Sequence, residues 1–304
     1  MSASFSATAA AAAPRADASF EALAACYAAQ RCVTATGGVV GYREAAGPAA
    51  TQALPVVLLH GIGSGAASWV KQLDVLGASR RVLAWDAPGY GESTAVKPLS
   101  PFSRDYFVIL SDWLDALKIE RCVLVGHSLG AIIAGGFAAA FPERVAGLLL
   151  LSPAGGYGAA PDDVRATKRD QRLAMLAELG PQGLAEKRSA NMLSPHADDA
   201  ARAWVRWNMA RIVPHGYAQA TQLLANADLA TDLARCKSHV AMAVGAEDTI
   251  TPPDACARLA EVAHTGLQHV PHAGHAGYIE QPDAYIAIID AFCCVADTSS
   301  GAVV

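Results

Sequence analysis

The chain has 304 residues, 53 % of them hydrophobic and 17 % charged, with a net charge of −5. Such a chain can bury a large core, as one big domain or one domain with an insertion. It carries no basic block, which argues against nucleic acid as a partner, and no run of the roughly 20 apolar residues that a membrane-spanning helix needs. Seven cysteines, Cys26, Cys32, Cys122, Cys236, Cys256, Cys293 and Cys294, are odd in number and form no C-x-x-C pair. They suit reduced packing cysteine in a cytoplasmic protein, not a disulfide framework or a zinc site.

Residues 1–17 are rich in Ala and Ser and lack the basic start and strong apolar core of a signal peptide, so a disordered tail is expected. A short helix is expected over Ala22–Gln30. Arg31 to Glu44 reads as an antiparallel pair around a Gly37-Gly38 turn. Apolar runs follow at Val56–Leu59, Val82–Trp85, Val123–Val125, Val145–Leu151, Val240–Val244 and Leu267–Val270. They read as buried parallel strands. Helical patterns fill the gaps. Asp105–Leu117 has one apolar face. Pro252-Pro253-Asp254 opens a helix through Val262, and Pro282 opens the last one, with Ile286, Ile289 and Phe292 inward. Strand–helix alternation implies a mostly parallel sheet covered on both faces. Residues 298–304 read as a flexible terminus.

Residues 156–232 break the alternation and split the core into 18–155 and 233–297. The segment holds helices and no convincing strand. Asp199–Ile212 places Ala200, Ala203, Trp204, Trp207 and Ala210 on one stripe, and Gly216–Asn226 is a second helix. An insertion between two core strands is expected to fold over their carboxyl ends, where ligands bind in open α/β sheets. That makes it a candidate lid. Its nine Lys/Arg match nine Asp/Glu, so no net field for a strongly charged substrate is expected. Trp204 and Trp207 are candidates for an apolar pocket wall or for core.

Gly126-His127-Ser128-Leu129-Gly130 follows an apolar run and precedes small residues. A strand turning sharply into a helix puts Ser128 at a strained turn, its hydroxyl beside a helix N-terminus. A serine hydroxyl needs a base, and the base needs an orienting group. Among nine histidines, His127 adjoins Ser128 but diverges from it, with pocket contact as its expected place, and His60 supports the His60-Gly61-Ile62-Gly63 loop. His269, His272 and His275 cluster near the last strand; spacing alone separates them little. Asp248 follows the strand Val240–Val244 and faces the rim that carries Ser128, with Glu247 as competitor. The backbone N–H groups of Leu129 and Ile62 are the expected oxyanion donors, assigned by position.

These motifs resemble the α/β-hydrolase fold of the lipase, esterase and lactonase type. The resemblance is carried by His60-Gly61-Ile62-Gly63, Asp86 through Ser93, Gly126 through Gly130, Phe141 through Val145, Gly245 through Pro252, and Ala273-Gly274-His275 with Glu280-Gln281-Pro282. It implies a central sheet flanked by helices with an inserted helical lid. It also implies the chain order Ser128, Asp248, His275 for nucleophile, acid and base, and a mainly architectural Asp86–Ser93 loop. The expected activity is hydrolysis of a small or medium carboxylic ester or lactone through an acyl-enzyme, with no cofactor or metal. An enol-lactonase, a C–C bond hydrolase or an acyltransferase on the same three residues are alternatives, and so is a slow-turnover ligand-binding protein. Ala276 stands where C–C hydrolases often carry tryptophan, and a serine nucleophile disfavours epoxide hydrolase and dehalogenase chemistry.

Overall fold

The computed structural model describes Arg15 and residues 18–300. Most of the expected N-terminal tail and residues 301–304 lie outside the described residues. The elements run α1 (Phe20–Cys26), β1 (Gln30–Val33), β2 (Val39–Ala45), β3 (Val56–Leu59), α2 (Val70–Leu76), β4 (Val82–Trp85), α3 (Ser103–Ala116), β5 (Cys122–His127), α4 (Leu129–Ala140) and β6 (Val145–Leu151). The chain continues through α5 (Asp162–Arg188), α6 (Asp199–Met209), α7 (Pro214–Asn226), α8 (Leu229–Leu233), β7 (Val240–Gly245), α9 (Pro253–Val262), β8 (Leu267–Val270), α10 (Gly277–Glu280) and α11 (Pro282–Ser300).

Among the described residues, eight strands form one sheet in the order β1-β2-β4-β3-β5-β6-β7-β8. Only the β1–β2 and β2–β4 pairs are antiparallel. The rest is the parallel sheet that the α/β-hydrolase resemblance implies. Side chains of a strand alternate between faces. Val57 and Leu59 of β3 therefore join one core with α3, α4 and α9, while Val56 and Leu58 join the other with α1, α2 and α11. Ile286, Ile289 and Phe292 of α11 point into that second core. Gly130, at the start of α4, lies so close to β3 that an added Cβ would come within 2.4 Å of the Leu59 carbonyl oxygen.

Several elements differ from expectation. Helix α1 is capped by the Ser19 hydroxyl, which accepts from the Ala22 N–H, and ends at Cys26; Gln30 already belongs to β1. Strand β8 lies at the sheet edge, so Gln268 and His269 are exposed. A strand with one neighbour has less to bury against. Residues 298–300 extend α11 instead of fraying. The buried stripe of α6 is Ala201, Trp204, Val205 and Asn208, while Ala200 and Ala203 face outward. That stripe keeps the i, i+3, i+4, i+7 spacing of one helix face. The long α5, unread in the sequence, breaks at Gly180, which takes φ 60° and ψ −177° ahead of Pro181. Proline removes an N–H and pushes its predecessor out of helical geometry. Among the described residues, no helix is long and apolar enough to cross a membrane.

Candidate active site

Ser128 occupies the single residue between β5 and α4, with φ 52° and ψ −114°. Left-handed backbone of this kind is costly for a non-glycine residue and persists only where the surroundings impose it. Gly126 and Gly130 make the turn possible. A Cβ at Gly126 would lie 2.6 Å from the Gly130 carbonyl oxygen. The turn leaves the Ser128 hydroxyl at the helix N-terminus, directed at a histidine.

That histidine is His275. Its Nε2 is 2.9 Å from Ser128 Oγ, and its Nδ1 is 2.9 Å from Asp248 Oδ2. The His275 and Asp248 side chains are only 1 % and 0 % exposed, so solvent screens this pair little. The structure thus brings Ser128, His275 and Asp248 into one chain of hydrogen bonds from β5, the loop before α10 and the loop after β7. The competitors go elsewhere. Glu247 turns toward His196 and His272, at 3.3 and 3.8 Å. His269 lies on the exposed edge strand.

Asp248 is held as a carboxylate. Burial pushes its pKa up, but His275, by charge and hydrogen bond, and Thr251 outweigh burial and hold it at about 2. The Ile250 and Thr251 N–H groups donate to Oδ1 at 2.8 and 2.9 Å, and the Thr251 hydroxyl lies 2.9 Å from Oδ2. Thr251 was missed in the sequence. Its hydroxyl also reaches the Ser152 carbonyl at 3.0 Å, linking the acid loop to β6. The Asp-x-x-Thr spacing, typical of a turn closed by side chains, was its only signal.

His127 lines the cavity described below and also braces the His275 backbone. Burial foremost, with the neighbouring His275 charge, lowers its pKa to about 3, so it stays neutral. The neutral ring donates from Nε2 to the His275 carbonyl oxygen at 2.8 Å. His60 is likewise structural. Its Nδ1 is 2.8 Å from the Gly61 carbonyl oxygen, and its Nε2 accepts from the Ala87 N–H at 2.9 Å. Asp86 accepts from the Ala66 N–H at 2.8 Å, an architectural contact. The Ile62 carbonyl takes the Tyr90 hydroxyl at 2.8 Å, which fixes the loop carrying the Ile62 N–H. Among the described residues, neither the Ile62 nor the Leu129 N–H has an acceptor in the turns, loops and caps.

Ser128 and His275 open into a cavity of about 560 Å³. Gly61, Ile62 and His127 line its floor, while Leu184, Val205, Met209 and Tyr217 from the inserted helices line its roof. Trp204 and Trp207 do not line it. Trp204 stacks on Phe20 at 5.4 Å and on Trp207 at 4.4 Å, and Arg211 lies over Trp207 at 3.7 Å. The α6 face rotated by one position puts Val205 and Met209 at the cavity and the indoles into packing.

The family model for the alpha/beta hydrolase family matches residues 56–288. The chain belongs to the alpha/beta hydrolase family. It is therefore a hydrolase-family protein whose sheet, strand order and serine turn agree. The inferred carbamate hydrolase RutD of Variovorax paradoxus (strain S110) is 32 % identical over 248 residues, which cover 77 % of this chain and 88 % of that protein. An esterase from Thermogutta terrifontis superposes with a TM-score of 0.78 at 23 % identity, covering 89 % of this chain and 99 % of that one. The enol-lactonase of Burkholderia xenovorans LB400 gives 0.76 at 23 % identity, covering 86 % and 99 %. At that identity the superpositions speak for the fold alone. Against two animal members of the family, the chain spans only 23 % and 31 % of their length.

Proposed function

We propose that this alpha/beta hydrolase cleaves a small or medium carboxylic ester or lactone through an acyl-enzyme, with the inserted helices serving as a lid. The observation that carries this reading is the unbroken chain Asp248–His275–Ser128, which ends in a hydroxyl facing the cavity. The ionised Asp248 accepts the Nδ1–H of His275 and leaves its Nε2 lone pair facing Ser128. His275 takes the hydroxyl proton as Ser128 Oγ bonds to the carbonyl carbon, and Asp248 stabilises the resulting imidazolium. The Ile62 and Leu129 N–H groups hold the oxyanion, the second at the positive end of α4. The carbonyl re-forms, the alcohol leaves with the proton from His275, and the acyl group stays on Ser128. Water then attacks with His275 as base, which releases the acid and restores the serine. The chemistry requires no metal or organic cofactor.

The likeness to the Variovorax carbamate hydrolase favours a second acyl class, a carbamate, on the same residues. Its carbonyl would meet the same nucleophile and donors. Labelling with a fluorophosphonate, followed by mass spectrometry of the labelled peptide, tests the machinery common to both. Modification at Ser128, lost in Ser128→Ala and His275→Ala, is expected; labelling elsewhere or none overturns the assignment. Matched ester, lactone and carbamate substrates then rank the acyl classes.

A further inference from the structure

In a straight helix, thirteen residues span about 20 Å. Yet Arg188 Nη1 lies 3.9 Å from Met175 Sδ, thirteen residues earlier in α5. The break at Gly180 and Pro181 folds the end of α5 back along its beginning. Arg172 is three residues before Met175 and on the same face, within about 6 Å by Cβ. Arg172 and Arg188, on the two sides of the break, both line the cavity that holds Ser128.

Their partners are neutral. Arg172 Nη1 reaches the Tyr217 hydroxyl at 3.4 Å, and Arg188, among the described residues, reaches only the methionine sulfur. Of the other cations of α5, Arg165 faces Asp162 at 3.7 Å and Arg169 faces Asp170 at 2.7 Å, while Lys168 and Lys187 are unpaired by salt bridge among the described residues but do not line the cavity. Among the described residues, neither Arg172 nor Arg188 has a carboxylate within salt-bridge distance. Arg258 of α9 also lines the cavity. Among the described residues, the cavity's one lining carboxylate is Asp228, which caps α8 and takes the Thr231 hydroxyl at 2.6 Å. The nine-to-nine balance over residues 156–232 averaged both faces of these helices and concealed an inward excess of positive charge.

We propose that Arg172 and Arg188 form a subsite for an anionic oxyacid group, so that the ester or lactone cleaved here carries a carboxylate or a phosphate. Two guanidiniums lining one cavity without a carboxylate favour an anion there, and the planar fork matches an oxyacid edge. The subsite is close to the reacting centre. Arg172, its partner Tyr217, and Ile62 of the oxyanion loop all line this one cavity. Tyr90 in turn holds the carbonyl of Ile62. The inference rests on the hydrolase reading for its substrate but not for its binding site.

The test compares mono-p-nitrophenyl glutarate with p-nitrophenyl valerate, similar in length but uncharged. Wild type is expected to favour the acidic ester at least ten-fold in kcat/KM. Arg172→Gln, Arg188→Gln and the double variant should each reduce that ratio, the double variant by at least ten-fold and mainly through KM. Arg188→Lys should restore part of it. Glutarate and glycerol 3-phosphate, as competitors, separate carboxylate from phosphate. Calorimetric binding of the acidic ester to Ser128→Ala, with and without the arginine changes, is read without turnover. If no ester is hydrolysed but this binding depends on the arginines, the hydrolase reading fails and the subsite stands. An unchanged ratio and arginine-independent binding would overturn the subsite, and so would a wild-type preference for the neutral ester.

Discussion

Replacing Asp248 by Asn changes one atom, and the structure says which one matters. Oδ1 receives two backbone N–H groups, which can only donate, so the amide oxygen of Asn must stay there. The amide nitrogen then takes the place of Oδ2, 2.9 Å from His275 Nδ1. Two donors cannot face each other, so His275 shifts its proton to Nε2. That N–H now points at Ser128 Oγ and cannot take a proton from it. The expected loss in kcat is about 10⁴-fold, or about 5 kcal/mol of barrier.

The same variant carries a stability cost. Asn behaves like the protonated acid. Depression of the Asp248 pKa from 3.8 to about 2 corresponds to about 2 kcal/mol of native-state stabilisation. Because the folded value is the lower one, this stabilisation is present above about pH 4 and lost as pH falls toward 2. Urea denaturation of parent and variant at pH 7 and at pH 3 reads it directly: the gap between them should narrow on acidification. Steady-state turnover of an ester that wild type accepts reads the catalytic part. Activity within ten-fold of the parent, at unchanged pH dependence, would refute the tautomer argument.

Ser128→Ala should abolish turnover and leave the far-ultraviolet circular dichroism unchanged, whereas Ser128→Gly should be about 1 kcal/mol more stable than Ala, since φ 52° strains any Cβ. Gly130→Ala should lower the denaturant midpoint by the equivalent of about 1–3 kcal/mol, because the new Cβ meets the Leu59 carbonyl at 2.4 Å and backbone cannot move aside. Trp204→Ala should cost about 3–5 kcal/mol in denaturant unfolding, because the indole is 1 % exposed between Phe20 and Trp207. A loss below 1 kcal/mol would show that the stack is not core.

Much of this protein was legible one-dimensionally. Parallel strands buried on both faces must be apolar throughout, so β3, β4, β5 and β6 stand out as unbroken runs. A nucleophile turn needs small residues on both sides, so Gly126 and Gly130 mark Ser128 without coordinates. Other features depend on what lies across space. Asp248 prevails over Glu247, and His275 over His269 and His272, only because loop geometry turns one member of each set toward Ser128. Thr251 and His127 hydrogen-bond His275 across sequence separations of 24 and 148 residues, which local spacing does not reveal. Trp204 was open between pocket wall and core because a tryptophan stripe suits both equally; packing against Phe20, 184 residues away in sequence, decided it. Charge behaved in the same way. Counting along 156–232 sums to zero, whereas Arg172 and Arg188 of that segment both line the cavity. Periodicity and motif are local and repeat along the chain, while burial, pairing and the sign of a cavity are set by which residues fold up against each other.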